Sequence, residues 1–278
     1  MLNILKSLLF GIIEGITEWL PISSTGHLII IENFVKFDDI SDGFWDMFQV
    51  VIQLGAILAV VVLFWNKIFP FELKHTPHIK KETLNLWGKI LVACVPAAII
   101  GLLFDDIFNK YFYNSFSVSV ALIVFGIAFI IVENKNKTRT PKIASLNVLS
   151  YKTALMIGIF QVIAAVFPGT SRSGATIVGA LLLGVSRTVA AEFTFFLAIP
   201  VMFGASLLKI CKFGFSFTST ETAVLLAGML SAFIVSLICI RFLMNYVKKH
   251  DFKVFGWYRI GLGVIVLIYA VLQASAIV

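Results

Sequence analysis

A single arginine, Arg172, stands between two apolar runs, residues 154–167 and 177–185, each too short to cross a bilayer. The stretch between them reads Pro168-Gly169-Thr170-Ser171-Arg172-Ser173-Gly174-Ala175-Thr176. Proline lacks an amide donor and glycine adopts backbone angles that other residues avoid, so the first run ends there. A new helix is expected to start at about residues 173–176. An arginine at membrane depth costs about 3 kcal/mol or more, which a plain helix break does not require. The stretch therefore predicts an anion site. Gly169, Ser171, Ser173, Gly174 and Thr176 would supply hydroxyls and backbone amides at a helix N-terminus, where phosphate binds well. Arg172 adds a planar, permanently charged fork that fits phosphate oxygens.

Composition puts this break in a membrane. Of 278 residues, 59% are hydrophobic and only 13% charged, and the mean hydropathy is +0.98. That excludes an ordinary soluble domain and indicates a polytopic membrane protein. The net charge of +7 does not imply a nucleic-acid partner, because the lysines and arginines fall mostly in loops between apolar runs. No cleavable signal is expected, since residues 1–10 carry one lysine and no small-residue cleavage site follows. Cys94, Cys211 and Cys239 show neither disulfide nor zinc spacing and read as packing residues.

Taken in order, residues 2–20 are apolar but carry Glu14 and Glu18, residues 21–27 break the run, and 28–35 resume it. Full spans are expected over 48–65, 86–104 (kinked at Pro96) and 117–132. The second broken run covers 154–185, followed by spans over 193–210, 222–243 and 256–278. The two halves align: Gly11-Ile12-Ile13-Glu14 answers Gly158-Ile159-Phe160-Gln161, and Pro21 answers Pro168, at an offset of roughly 147 residues. Ser23-Ser24-Thr25-Gly26 matches Ser171-Arg172-Ser173-Gly174 after a one-residue slip.

The expected fold is thus an all-α integral membrane protein, a single polytopic domain over 1–278. It comprises two inverted repeats, 1–132 and 153–278. Each is a re-entrant hairpin (2–35 or 154–185) followed by three spans, an odd number that inverts one repeat relative to the other. Loops 66–89, 133–152 and 245–259 are basic and are assigned to the cytoplasm, loops 38–46 and 105–116 are acidic and are assigned outside, and both termini then lie outside. The hairpins would enter from opposite faces and meet near the midplane, where broken helices need burial in protein or a wet cavity.

Glu14 and Glu18 share a helix face at i and i+4. Such a pair can share a proton, hold a divalent cation, or activate a water or hydroxyl. Gln161 and Ala165 replace them in the second repeat, so the acid pair is special to the first. His27 follows Ser23, Ser24 and Thr25 and is a candidate acid, base or nucleophile partner, whereas His75, His78 and His250 read as solvated. The residues alone point to hydrolysis of a lipid-borne phosphate, or to transport of a phosphorylated solute.

At this point a resemblance enters. Glu14-Gly15-Ile16-Thr17-Glu18-Trp19-Leu20-Pro21-Ile22-Ser23-Ser24-Thr25-Gly26-His27 resembles the first motif of bacterial undecaprenyl-diphosphate phosphatases of the bacitracin-resistance type. The stretch 168–176 resembles their second motif, PGxSRSxxT, and FQVVIQLGA over 48–56 and Gly184-Val185-Ser186-Arg187 are also similar. The resemblance covers nearly the whole chain. It implies a multi-pass enzyme of the bacterial plasma membrane that removes the terminal phosphate of undecaprenyl diphosphate, recycling the lipid carrier for cell-wall polymers. It also implies a divalent cation, Mg²⁺ or Ca²⁺, at Glu14 and Glu18, and a site open to the outer side. Candidate catalytic residues are Glu14, Glu18, Ser24, His27 and Arg172, and candidate phosphate-binding residues are Ser23, Thr25, Gly169, Ser171, Ser173, Gly174 and Thr176. Expected partners are the polyprenyl diphosphate and membrane lipids, with no nucleic acid. Open at this stage are a homodimer, a transporter or flippase reading, and the nucleophile: the Ser24 hydroxyl or a water activated by the glutamates.

Overall fold

The computed structural model describes residues 1–72 and 78–276. Apart from one short ribbon, the described residues with regular structure are helical. The order is α1 (Leu2–Thr17), α2 (Ser24–Ile31), α3 (Phe44–Val51), α4 (Gln53–Leu63), α5 (Trp65–Ile68), α6 (Lys81–Phe112) and α7 (Ser115–Asn136). Then come α8 (Tyr151–Val166), α9 (Arg172–Leu182), α10 (Arg187–Phe213), α11 (Ser219–Tyr246) and α12 (Lys253–Ala276). The ribbon pairs β1 (Phe71–Glu72) with β2 (His78–Ile79), antiparallel, between α5 and α6. Six stretches are long and apolar enough to cross a membrane: Phe44–Leu63, Lys81–Phe104, Ser115–Asn136, Arg187–Phe213, Ser219–Tyr246 and Lys253–Leu272. The all-helical membrane expectation therefore holds.

Polarity is arranged for lipid. Leu91, Ile99, Leu102, Leu226, Ile234 and Ile238 are exposed on the flanks, while Glu14, Glu18, Ser173, Thr176 and Arg259 are buried. Between helices, glycine replaces large side chains so that backbones approach closely, as membrane interfaces require. On α7 and α12 the contact is reciprocal: a Cβ on Gly126 would sit 2.7 Å from the Gly256 carbonyl, and one on Gly256 2.8 Å from the Gly126 carbonyl. Gly11 of α1 lies against Gly228 and Ser231 of α11, and Gly158 of α8 lies against Ala93 of α6. So α1 packs on α11, α8 packs on α6, and α7 packs on α12.

Several sequence-based boundaries move. Ser24 to His27 form the first turn of α2, although the run was expected to resume only at Leu28. Ser23 accounts for the earlier start, because its side chain accepts the Gly26 amide and caps the helix. Likewise α9 starts at Arg172, capped by Ser171 on the Gly174 amide. The acidic loop expected over 105–116 is mostly helix, since α6 runs on to Phe112, whose ring packs on Phe167 at a centroid distance of 5.0 Å. Lys89, expected in a basic loop, is buried in α6 and donates to the Leu146 and Asn147 carbonyls, each at 3.3 Å. Arg259, expected to close the last basic loop, is wholly buried within α12. The three thiols are free, as expected, and His250 is exposed and stacked on Tyr246. His75 lies outside the described residues.

Two clefts mark the two ends of α7. One, of about 830 Å³, is lined by Glu32, Lys36, Trp45, Asp46, Tyr113 and Lys209, beside the start of α7. The other, of about 450 Å³, lies where α7 ends, and its lining includes Lys137, Arg139, Lys142, Arg187 and Lys248.

Candidate active site

The two broken segments, 18–23 and 167–171, meet in the interior. Both end in a serine with an unusual backbone: Ser23 has φ 74° and Ser171 φ 68°, a region that non-glycine residues rarely occupy. Such strain costs on the order of 1–3 kcal/mol and persists only where surrounding contacts enforce it. Here each serine caps the next helix, which aims the N-termini of α2 and α9 into the same region. Gly169, at φ 91°, provides the third sharp angle.

Glu18 is the junction. Its Oε1 accepts from Arg172 Nη2 at 2.8 Å, its Oε2 accepts from the Ser24 hydroxyl at 3.2 Å, and its backbone carbonyl accepts from the Ser173 hydroxyl at 3.1 Å. Ser173 spends its proton there, so Ser171 Oγ, 3.0 Å away, donates to it. Arg172 also donates from Nη1 to the Thr194 carbonyl at 3.0 Å, and its Nε has no partner. The Arg172 and Glu18 side chains are only 13% and 8% exposed, so this is an ion pair in a dry setting, where loss of one partner costs about 3–5 kcal/mol. Ser24, Thr25, Ser171 and Arg172 are half-buried, which leaves them reachable.

Some expected members stand elsewhere. The Thr176 hydroxyl turns back to the Arg172 and Ser173 carbonyls and to Thr194 Oγ1, at 2.9, 3.2 and 2.9 Å. It thus fastens α9 to α10 instead of facing a phosphate. His27 Nδ1 lies 2.7 Å from the Ser23 carbonyl, which can only accept, so that nitrogen carries the proton. Its Nε2 shares a hydrogen bond with the Tyr258 hydroxyl at 2.7 Å, accepting from it in the neutral ring. His27 is therefore anchored on α12, and no hydrogen bond joins it to Glu18 or Ser24.

Glu14 is fully buried one turn before Glu18, and apart from the neighbouring Glu18 carboxyl its side-chain oxygens have no hydrogen-bond partner. Of the buried side-chain polar atoms without a partner among the described residues, those of Glu14, Trp19, Gln161, Thr170, Arg172 and Arg259 belong to the two broken helix pairs or to α12; only Ser236 lies elsewhere. Buried polar groups are normally satisfied, so this concentration is what a polar ligand site looks like. Among the described residues no three His, Cys, Asp or Glu side chains group as metal ligands. A cation here would have one or two carboxylates from the protein. That suits Mg²⁺, which completes its shell with water and phosphate, better than Ca²⁺, which takes six to eight oxygens.

The family model for the bacitracin resistance protein BacA matches residues 7–265. The chain belongs to the BacA family. It is 64% identical over 269 residues to the undecaprenyl-diphosphatase of Desulfitobacterium hafniense, covering 97% of this chain and 96% of that protein. It is 61% identical to undecaprenyl-diphosphatase 1 of Clostridium acetobutylicum, over 96% and 97% of the two chains. An undecaprenyl-diphosphatase of Enterococcus faecalis is 59% identical, over 96% and 97%.

Three residues at the site escaped the sequence reading: Thr194, Tyr258 and Arg259. Arg259 donates to the carbonyls of Pro21 (3.2 Å), Gly169 (3.0 Å) and Thr170 (2.6 Å). The available signal was its place inside the apolar run that opens at Gly256, since an ionisable residue within a span is a functional candidate by default. Thr194 and Tyr258 left no comparable signal.

Proposed function

We propose that this protein hydrolyses the terminal phosphate of undecaprenyl diphosphate, yielding undecaprenyl phosphate and inorganic phosphate and so returning the lipid carrier to cell-wall synthesis. The observation that carries the proposal is Glu18: one carboxylate holds both an arginine fork and a serine hydroxyl, between two helix N-termini. An anion grip alone would serve a transporter, but a hydroxyl hydrogen-bonded to a carboxylate is the pairing of an activated nucleophile. The relatives named undecaprenyl-diphosphatase support the same substrate.

In the proposed step Ser24 Oγ attacks the terminal phosphorus while Glu18 Oε2 takes its proton. The Oγ–P bond forms, the bridging P–O bond breaks, and undecaprenyl phosphate leaves. Water then cleaves the phosphoserine: its oxygen leaves on inorganic phosphate, and Glu18 returns the proton to Ser24 Oγ, restoring both residues. Arg172 and the free amides at the starts of α2 and α9 hold the oxygens as charge redistributes in line. Ser23 and Ser171 keep those helix starts aimed, Thr25 and Ser173 line them, and Thr176 braces α9. His27 braces the first turn of α2. Glu14, beside Glu18, would hold a divalent cation, which would neutralise diphosphate charge.

The test is phosphate release from undecaprenyl diphosphate by the purified protein in detergent, where no compartments exist. A hydrolase releases phosphate; a transporter or flippase leaves the diphosphate intact. Activity unchanged by a chelator would remove the cation from the scheme.

The same reading takes residues 1–132 and 153–278 as inverted repeats, with α1–α2 and α8–α9 as re-entrant hairpins. The exchange of packing partners, α1 on α11 and α8 on α6, supports it, as do the matching serine caps. The site is read as opening to the outer face of the plasma membrane. The support is charge: lysines and arginines gather at the Lys137 end of α7, which favours a cytoplasmic position for that end. In intact cells a cysteine introduced by Lys137→Cys should resist an impermeant thiol reagent, and rapid labelling would reverse the orientation.

A further inference from the structure

Arg259, like Lys89, is a buried cation that bonds to backbone carbonyls, but its carbonyls come from both breaks at the site. It is wholly buried, in the second turn of α12, over the Phe125 ring at 5.9 Å. No carboxylate forms an ion pair with it among the described residues. Its bonds go instead to three backbone carbonyls: Pro21 from the first break, and Gly169 and Thr170 from the second. Carbonyls at a helix break have no intrahelical donor, and in an apolar interior each must find one. A single guanidinium, with five donors in a rigid plane, serves three of them across two segments far apart in sequence. Neutral donors would satisfy the carbonyls equally well. A cation does more, because its charge is left uncompensated beneath two helix N-termini that already favour an anion.

We propose that Arg259 is a positioning residue for the reaction. Its fork ties the Pro21 carbonyl to those of Gly169 and Thr170, and so sets the separation of the α2 and α9 N-termini that grip the diphosphate. This inference rests on the phosphatase reading for its kinetic consequence, but not for its geometry. The neighbouring Tyr258 holds His27 at the same time, so one turn of α12 fixes the first segment at two points. Gly174 belongs to the arrangement: a Cβ there would lie 2.9 Å from Arg259 Nη1 and push the fork aside.

The experiment compares the parent, Arg259→Lys and Gly174→Ala as full-length protein in lipid nanodiscs, with two readouts. The first is kinetics on undecaprenyl diphosphate. Lysine keeps the charge but cannot span three carbonyls, so kcat should fall about a hundredfold while KM stays within about threefold. The second readout needs no substrate. Thr170→Cys is introduced after replacing Cys94, Cys211 and Cys239 by alanine. Thr170 is wholly buried, so its replacement thiol should be protected in the parent and react with a water-soluble maleimide about tenfold faster or more once the tie is lost. Gly174→Ala should speed labelling in the same direction. Parent-like kcat per folded molecule in Arg259→Lys would overturn the proposal, reducing Arg259 to a stabilising contact. A rise in KM alone would also overturn it, leaving only attraction of the anion. So would a protected thiol in both variants. If the parent itself releases no phosphate, the phosphatase reading fails, and the labelling alone decides the tie: fast reaction upholds it, and protection overturns it.

Discussion

Replacing Ser24 with alanine should lower single-turnover phosphate release by about a thousandfold or more at saturating lipid, with lipid affinity nearly unchanged. The size follows from what Ser24 does in the proposed step. Its hydroxyl lies 3.2 Å from Glu18 Oε2, so the carboxylate is already in place to take the proton as Oγ attacks phosphorus. Removal of the attacking atom leaves no other hydroxyl hydrogen-bonded to Glu18's carboxylate. The fold should survive, because Glu18 keeps its Arg172 partner and Ser23, not Ser24, caps α2. A serine that only binds phosphate would behave differently. Losing one hydrogen bond to a charged group costs about 1.5–3 kcal/mol, much of it in affinity. Single-turnover rates and lipid binding, measured separately, distinguish the two. If Ser24→Ala retains a tenth of the wild-type rate, the covalent route is wrong and a water activated by Glu14 and Glu18 becomes the nucleophile.

The second large effect is expected at Arg172. Arg172→Lys preserves charge, yet turnover should fall by about a hundredfold or more. The guanidinium already bridges two acceptors, Glu18 Oε1 at 2.8 Å and the Thr194 carbonyl at 3.0 Å, from two different nitrogens. Its unpartnered Nε leaves a further donor. Lysine presents one nitrogen and can keep the ion pair or meet a phosphate oxygen, but cannot reproduce the fork. Retention of the ion pair should keep the variant folded, so thermal unfolding should shift little while kcat collapses. Wild-type turnover in Arg172→Lys would mean that the residue is a counter-charge for Glu18 and takes no part in gripping phosphate.

Much of this was legible without coordinates, for a reason tied to the bilayer. Inside a long apolar sequence every charge is conspicuous, because burying it in lipid costs several kcal/mol. Glu14, Glu18 and Arg172 therefore stood out, as did the proline-centred breaks at Pro21 and Pro168 and the six spans between basic and acidic loops. The repeated Gly-Ile pattern and the shared proline offset made the two halves comparable. Helix ends were less legible. Serine side chains at 23 and 171 set them by capping, and a cap is one hydrogen bond that an apolar pattern does not record.

The sequence by itself determined which residues had to be buried together: a polar set too costly to leave in lipid. Only the tertiary structure decided how they pair. Glu18 and Arg172 are 154 residues apart, and nothing in either motif specifies that the second carboxylate, rather than the first, takes the arginine. His27 looked like a partner for Ser24, yet it spends both ring nitrogens on the Ser23 carbonyl and Tyr258. Arg259 resembled a cation at the edge of a span, where long side chains ordinarily reach for water. Its actual setting depends on three carbonyls brought in from positions 21, 169 and 170. Hydrophobic periodicity reports which face of a helix turns inward. It carries no information about which atoms of distant segments lie within 3 Å of one another, and at a polar site in lipid those distances set the chemistry.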